Sequence, residues 1–238
     1  MRFPLRLTAQ LAKTRIVQIW RTSTPLIDFV DPAEILHLGS AHPVSHKKMR
    51  GMTASQAPVV WIGGSEPLDH PGVSHFVQAN ALSGHVVFLE TNGVLLRRRI
   101  HEFQPLPRVF LTVRLDARRM PAFELAVEGI RAARLSGFFT VVHSRAGEDR
   151  DRTELDRLRA LLTELQVDGW LITAATVSND AVRNAAEARS LIPSLSWRSF
   201  SEQVERMLLS RARTKELKGE PLAENPVPES CEEGIKVA

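Results

Sequence analysis

Cysteine is nearly missing from this chain: its 238 residues include one, Cys231. A lone thiol excludes an internal disulfide framework, and it excludes any zinc site or iron–sulfur cluster held by several cysteines of one chain. Tyrosine is absent and the aromatic residues make up only 6%. The chain is basic, with a net charge of +4 at pH 7, but single-stranded nucleic acid needs rings interleaved with positive charge, so nucleic acid is not indicated. No apolar run is long enough to span a bilayer, and the opening Met1 to Arg6 lacks the unbroken apolar stretch of a signal peptide. A reducing, cytoplasmic setting is the expectation. The chain also has no Gly-x-Ser-x-Gly, no Gly-Lys-Ser/Thr phosphate loop and no His-Glu-x-x-His.

What remains is globular composition, 43% hydrophobic and 24% charged, enough for one domain with a full core. Residues 1–22 read as a basic amphipathic helix. Leu7, Leu11, Ala12, Ile16, Ile19 and Trp20 recur at helical spacing, with Arg2, Arg6, Lys13, Arg15 and Arg21 around them. Such a helix either packs on the domain or lies on an anionic membrane surface. Residues 23–198 alternate short β-rich runs with helical patterns. The runs are Pro25–Val30, Pro58–Ile62, His85–Leu89, Arg108–Val113, Phe138–Val142 and Trp170–Thr173. The helical stretches are Val73–Leu82, Val94–Phe103, Pro121–Leu135 and Thr153–Leu165, with Gly137 as a C-terminal cap signal. This alternation means βαβ units and a mostly parallel sheet, either an open doubly wound sheet or a partial barrel short of eight units. Asp180–Leu191 and Ser199–Lys218 read as helices. Residues 199–238 form a C-terminal helix followed by a loose, proline-bearing tail.

Function in such folds sits at the carboxyl ends of the strands. The second run ends in Gly63-Gly64-Ser65-Glu66-Pro67, where glycines permit close backbone approach beside a carboxylate. The third ends in Glu90-Thr91-Asn92-Gly93, the fourth in Arg114-Leu115-Asp116 and the fifth in His143-Ser144. Glu66, Asp116 and His143 are the acid–base candidates. His37, His42 and His46 share one loop and could hold a transition metal, but loop histidines are more often solvated. Arg97-Arg98-Arg99 reads as a solvated charge run or as a contact for phosphate or anionic lipid.

Taken in order, these landmarks resemble the radical S-adenosylmethionine (SAM) superfamily. Gly64-Ser65-Glu66-Pro67 is similar to its Gly-Gly-Glu-Pro motif, Thr91-Asn92-Gly93 to its Thr-Asn-Gly strand end, and Leu115-Asp116 to its Leu-Asp strand end. Arg2-Phe3-Pro4-Leu5, Leu7-Thr8, Ala57-Pro58-Val59-Val60 and Val167-Asp168-Gly169 resemble stretches of the hopanoid-biosynthesis branch, adenosylhopane synthase and its relatives. The resemblance implies a partial (β/α)6 barrel with SAM held by Gly64, Ser65, Glu66, Pro67, Thr91 and Asn92. It also implies a four-iron, four-sulfur cluster on three cysteines. Aligning the family's lead-in with Pro25-Leu26 and Asp31-Pro32 places those cysteine positions at Leu36, Ser40 and Pro43. None is a thiolate. The position before Leu-Asp, a His or Ser in the family, is Arg114.

The expectation is therefore a degenerate radical-SAM-like protein without a cluster, at most a weak binder of SAM. It would act as a binding or scaffold pseudoenzyme toward a protein partner or an active paralogue. Two alternatives stand beside it. One is an enzyme of altered chemistry that keeps a small-molecule pocket at the strand ends. The other is an accessory protein peripheral to the inner membrane face, held by its N-terminal helix.

Overall fold

The structure, a computed structural model, describes residues 1, 3–5, 7–9, 11–12, 25–35, 54–116, 122–148 and 152–218. Six strands lie in it: β1 (Ile27–Val30), β2 (Val59–Ile62), β3 (Val86–Thr91), β4 (Val109–Arg114), β5 (Phe139–Ala146) and β6 (Gly169–Ala174). They pair in sequence order, every pair parallel. All six predicted runs are strands, and the sheet curls into a half-barrel. β2, β3 and β6 are buried along their whole length, as parallel strands covered on both faces must be.

The helices between strands are α1 (Pro32–Ile35), α2 (Val73–Leu82), α3 (Leu96–Arg99), α4 (Phe123–Leu135), α5 (Arg152–Glu164) and α6 (Asn179–Ala188); α7 (Leu195–Lys218) follows the last strand. The stretch predicted as one helix over Val94–Phe103 is instead α3 followed by a 3-10 turn, Ile100–Glu102. Asn92 Oδ1 accepts from Val94 N at 2.9 Å, so side-chain turn chemistry delays the helix start. Gly137 stands just past α4 at φ +79°, a backbone shape in which a Cβ is strained. The first described residues are also helical at 5, 7–9, 11 and 12, and Leu7 is fully buried in the core. The remainder of the predicted N-terminal helix, the loop histidines and the three cluster positions lie outside the described residues.

Side chains alternate across each strand. One alternating set, Trp61, Phe88, Phe110 and Phe139, forms a continuous ladder of rings on neighbouring strands. Trp61 stacks on Phe88 at 5.4 Å and Phe88 on Phe110 at 4.8 Å, while Phe139 meets Phe110 edge-on at 4.8 Å. This is the inner face, since right-handed βαβ crossovers put the connecting helices outside. Its base is closed by the two ends of the described chain. Phe200 of α7 contacts Phe88, and Phe3 packs edge-on against both Trp197 and Phe200. Trp197 lies where a side chain on Gly169 would stand; a Cβ there would be 2.4 Å from its ring. Trp61, Phe88, Phe110, Trp197 and Phe200 are fully buried, and each contributes roughly 2–3 kcal/mol.

β6 is an edge strand, and α7 caps it. Ser201 Oγ accepts from Ile172 N at 3.3 Å and Glu205 Oε2 from Ala174 N at 2.7 Å. Arg189 donates to Ile172 O and forms a buried ion pair with Glu205. Four residues of helix rise about 6 Å and two of strand about 6.6 Å, so one helix face matches successive outward amides of the strand. The edge is thereby removed as a template for pairing.

Candidate functional site

The polar strand ends converge at the carboxyl rim above this aromatic base. Glu66 follows β2 and precedes the 3-10 turn Pro67–Asp69. Its carboxylate accepts from Leu68 N at 3.1 Å, Thr91 Oγ1 at 2.6 Å and Asn92 N at 2.7 Å. It thus staples the β2 end to the β3 end. Burial pushes its carboxyl up from the ordinary value, against the lowering effect of those three donors.

Ser65 is turned the other way. Its hydroxyl donates to Asp31 Oδ1 at 2.6 Å and accepts from Ala33 N at 2.9 Å; its amide also reaches Asp31 at 3.3 Å. Gly64, at φ +103°, presses against that carboxylate, and a Cβ would stand 2.6 Å from Asp31 Oδ2. The Gly64–Pro67 segment is therefore bonded to the residues just after β1 by Ser65 and to the end of β3 by Glu66.

Deeper on the inner face is a set joined across four strands. Glu90 of β3 accepts from Trp61 Nε1 at 3.0 Å and pairs with His143 Nδ1 at 2.6 Å. His143 Nε2 is 2.8 Å from Thr173 Oγ1 on β6. Glu90, His143 and Thr173 are all buried. Gly63 makes room for them, since a Cβ on it would approach Glu90 Oε2 to 2.6 Å. Burial alone would push the Glu90 carboxyl up. The charge and hydrogen bond of His143, with Arg114 and the Trp61 N–H, outweigh it and hold the carboxyl at about 2. Thr112, the register partner of Glu90, has a buried hydroxyl without a hydrogen-bond partner.

Of the acid–base candidates, His143 belongs to this inner set. Asp116 instead accepts from Arg145 N at 2.9 Å, Nε at 3.1 Å and Nη2 at 2.8 Å on the half-exposed rim. Ser144 points to the outer face, donating to Leu115 O at 2.7 Å and accepting from Trp170 Nε1 at 3.1 Å. In the arginine run, Arg97 pairs with Glu128 on the surface, while Arg99 binds Glu102 and the carbonyls of Leu68 and His70. Arg99 so braces the turn after Glu66. The sequence places Glu90, Asp31 and Thr173 in or beside their runs but assigns them no role. The available signal was parity: Glu90 shares the inward alternation of Phe88, and Thr173 that of Gly169.

No protein-family model and no curated protein matches the chain. Solved structures do. Streptococcus suis SuiB bound to the precursor peptide SuiA superposes with a TM-score of 0.55 at 13% identity, over 76% of this chain and 48% of that one. SuiB bound to S-adenosylmethionine gives 0.50 at 12% identity, over 89% of this chain and 52% of that one. The fold is a partial barrel of radical SAM type. At such identities the likeness is one of fold, and the chain spans about half the length of the structures it matches.

The donor set does not fit the cluster of that superfamily. An iron–sulfur cluster needs several thiolates, and this chain has one cysteine, Cys231. At the rim, the side chains of Ser65 and Glu66 are engaged within the protein.

Proposed function

We propose that this chain is a radical-SAM-type half-barrel that no longer performs radical chemistry and serves as a binding or scaffold protein, with ancestry in the hopanoid-biosynthesis branch. One observation carries the reading: the positions that resemble the family's cluster ligands are Leu36, Ser40 and Pro43. Leu and Pro offer no ligand atom, and one serine cannot replace three sulfurs. SAM binding through Gly64, Ser65, Glu66, Pro67, Thr91 and Asn92 is weak, because a cluster iron that would chelate the ligand is missing from the scheme and the polar side chains already have partners. The deciding experiment is calorimetric titration with SAM after anaerobic treatment with iron and sulfide, with iron assayed in the same sample. No iron with weak or no SAM binding is expected. Stoichiometric, tightly held iron overturns the reading.

A second reading, an enzyme of altered chemistry, is favoured by the Glu90–His143–Thr173 chain. A carboxylate that orients an imidazole toward a hydroxyl is an arrangement suited to moving a proton. If it acts on a rim ligand, His143→Gln abolishes turnover while leaving ligand affinity within about twofold. A membrane-peripheral role for residues 1–22 is tested by flotation with anionic vesicles. Full-length chain that floats no better than chain lacking those residues ends that idea.

A further inference from the structure

Two arginines crown the inner face of the sheet. Strand alternation carries Phe110, Thr112 and Arg114 to one side of β4, and His143 and Arg145 to the same side of β5. Arg114 is the register partner of His143, so Arg145 stands one pleat repeat further toward the carboxyl rim. On the other flank Thr91 pairs with Val113, which puts Asn92 beside Arg114. Three neighbouring strands span about 10 Å, a width that side chains of this length bridge. The charge of the buried Glu90 acts on both Arg114 and Arg145, so the two guanidinium groups share one locality.

We infer that Asn92, Arg114 and Arg145 form a receptor at the carboxyl rim for the oxyanion of a small molecule, a carboxylate or a phosphate ester. What this set offers is donors. Asn92 Oδ1 is taken up by Val94 N at 2.9 Å, and its NH2 has no partner among the described residues. Arg145 gives Nε and Nη2 to Asp116, while its Nη1 has no partner among the described residues. The Arg145 side chain is 42% exposed, and Arg114 and Asn92 are half-buried, so solvent reaches the group. The carboxylates beside them are committed, Glu90 to Trp61 and His143 and Asp116 to Arg145. One pleat below Arg114, Thr112 adds a buried hydroxyl without a partner. Guanidinium and amide N–H groups match the planar, charged acceptors of carboxylate and phosphate, and such charge-assisted bonds are the strong ones. A cation gains nothing from these donors. Neither SAM binding nor the absence of a cluster enters this inference, and it stands if either reading fails.

The test titrates the full chain with inorganic phosphate and, separately, with acetate, at an ionic strength held constant with sodium chloride. Binding is followed by the nitrogen–proton NMR signals of the backbone and of the arginine Nε–H groups. Saturable shifts confined to Asn92, Arg114, Arg145 and their strand neighbours are expected. Arg114→Gln and Arg145→Gln should each weaken the binding about tenfold, whereas Arg183→Gln, which alters a surface pair with Asp180, should leave it unchanged. Tighter binding of phosphate assigns the site to a phosphate ester, and tighter binding of acetate to a carboxylate. Shifts that fail to saturate with either anion, that chloride reproduces, or that survive both rim substitutions overturn the inference. Arg145→Gln, on the exposed rim, decides the matter if Arg114→Gln disturbs folding.

Discussion

At the scale of single residues, the inner face depends on a charge that would be costly without its partners. Glu90 is buried and survives as a carboxylate because His143, Trp61 and Arg114 face it. Glu90→Ala leaves the His143 imidazole without its carboxylate and is expected to cost about 3–5 kcal/mol in chemical denaturation. The pH dependence follows from the direction of the shift. The folded carboxyl titrates at about 2, below its ordinary 4.5. Its stabilisation is complete above pH 4.5 and is lost as pH falls toward 2. Glu90→Gln should therefore flatten the acid side of the stability–pH curve; an unchanged acid limb contradicts the pairing. Glu66 acts in the opposite sense, because its folded carboxyl is raised. Thr112→Val, which removes a buried hydroxyl without a partner, should stabilise the protein by about 1 kcal/mol.

At the scale of elements, α7 and β6 form one unit. Gly169 gives up its side chain to Trp197, so Gly169→Ala drives a methyl into an indole at 2.4 Å. A loss of about 1–3 kcal/mol is expected from overpacking, read as a lowered denaturation midpoint. Ser201 and Glu205 are spaced for the outward amides of Ile172 and Ala174. Replacing both by Ala should speed amide exchange at those two residues while sparing Val142 and His143 on the paired strand. Equal exchange at all four would show that the side chains do not cap the edge.

At the scale of the whole molecule, the two ends of the described chain meet on the inner face. Phe3 packs on Trp197 and Phe200, and Phe200 on Phe88 at the middle of the sheet. Phe3 and the first half of α7 thereby close the base of the half-barrel. Phe3→Ala should lower stability by about 1–3 kcal/mol without dividing the transition. Unfolding followed by far-UV circular dichroism and by tryptophan fluorescence should coincide. Separate transitions would mean that α7 and the sheet are not one cooperative unit.

The sequence by itself determined the sheet. Six apolar β-rich runs separated by helical patterns can bury both faces of their strands only in a parallel, helix-covered arrangement. The polar residues at the run ends marked the rim on which Glu66, Thr91 and Asn92 meet. It also determined that this chain lacks the thiolates for a cluster, since that is a matter of composition. Only the tertiary structure decided what each polar residue does. Ser65 and Glu66 read as one motif, yet one is bonded to Asp31 after β1 and the other to the end of β3. His143 stood beside Ser144, and the strand's alternation sent them to opposite faces. Its partner Glu90 lies 53 residues away. Side-chain pairing across strands depends on register and curl, which local sequence does not carry, and so the inner set became visible only in the curled sheet.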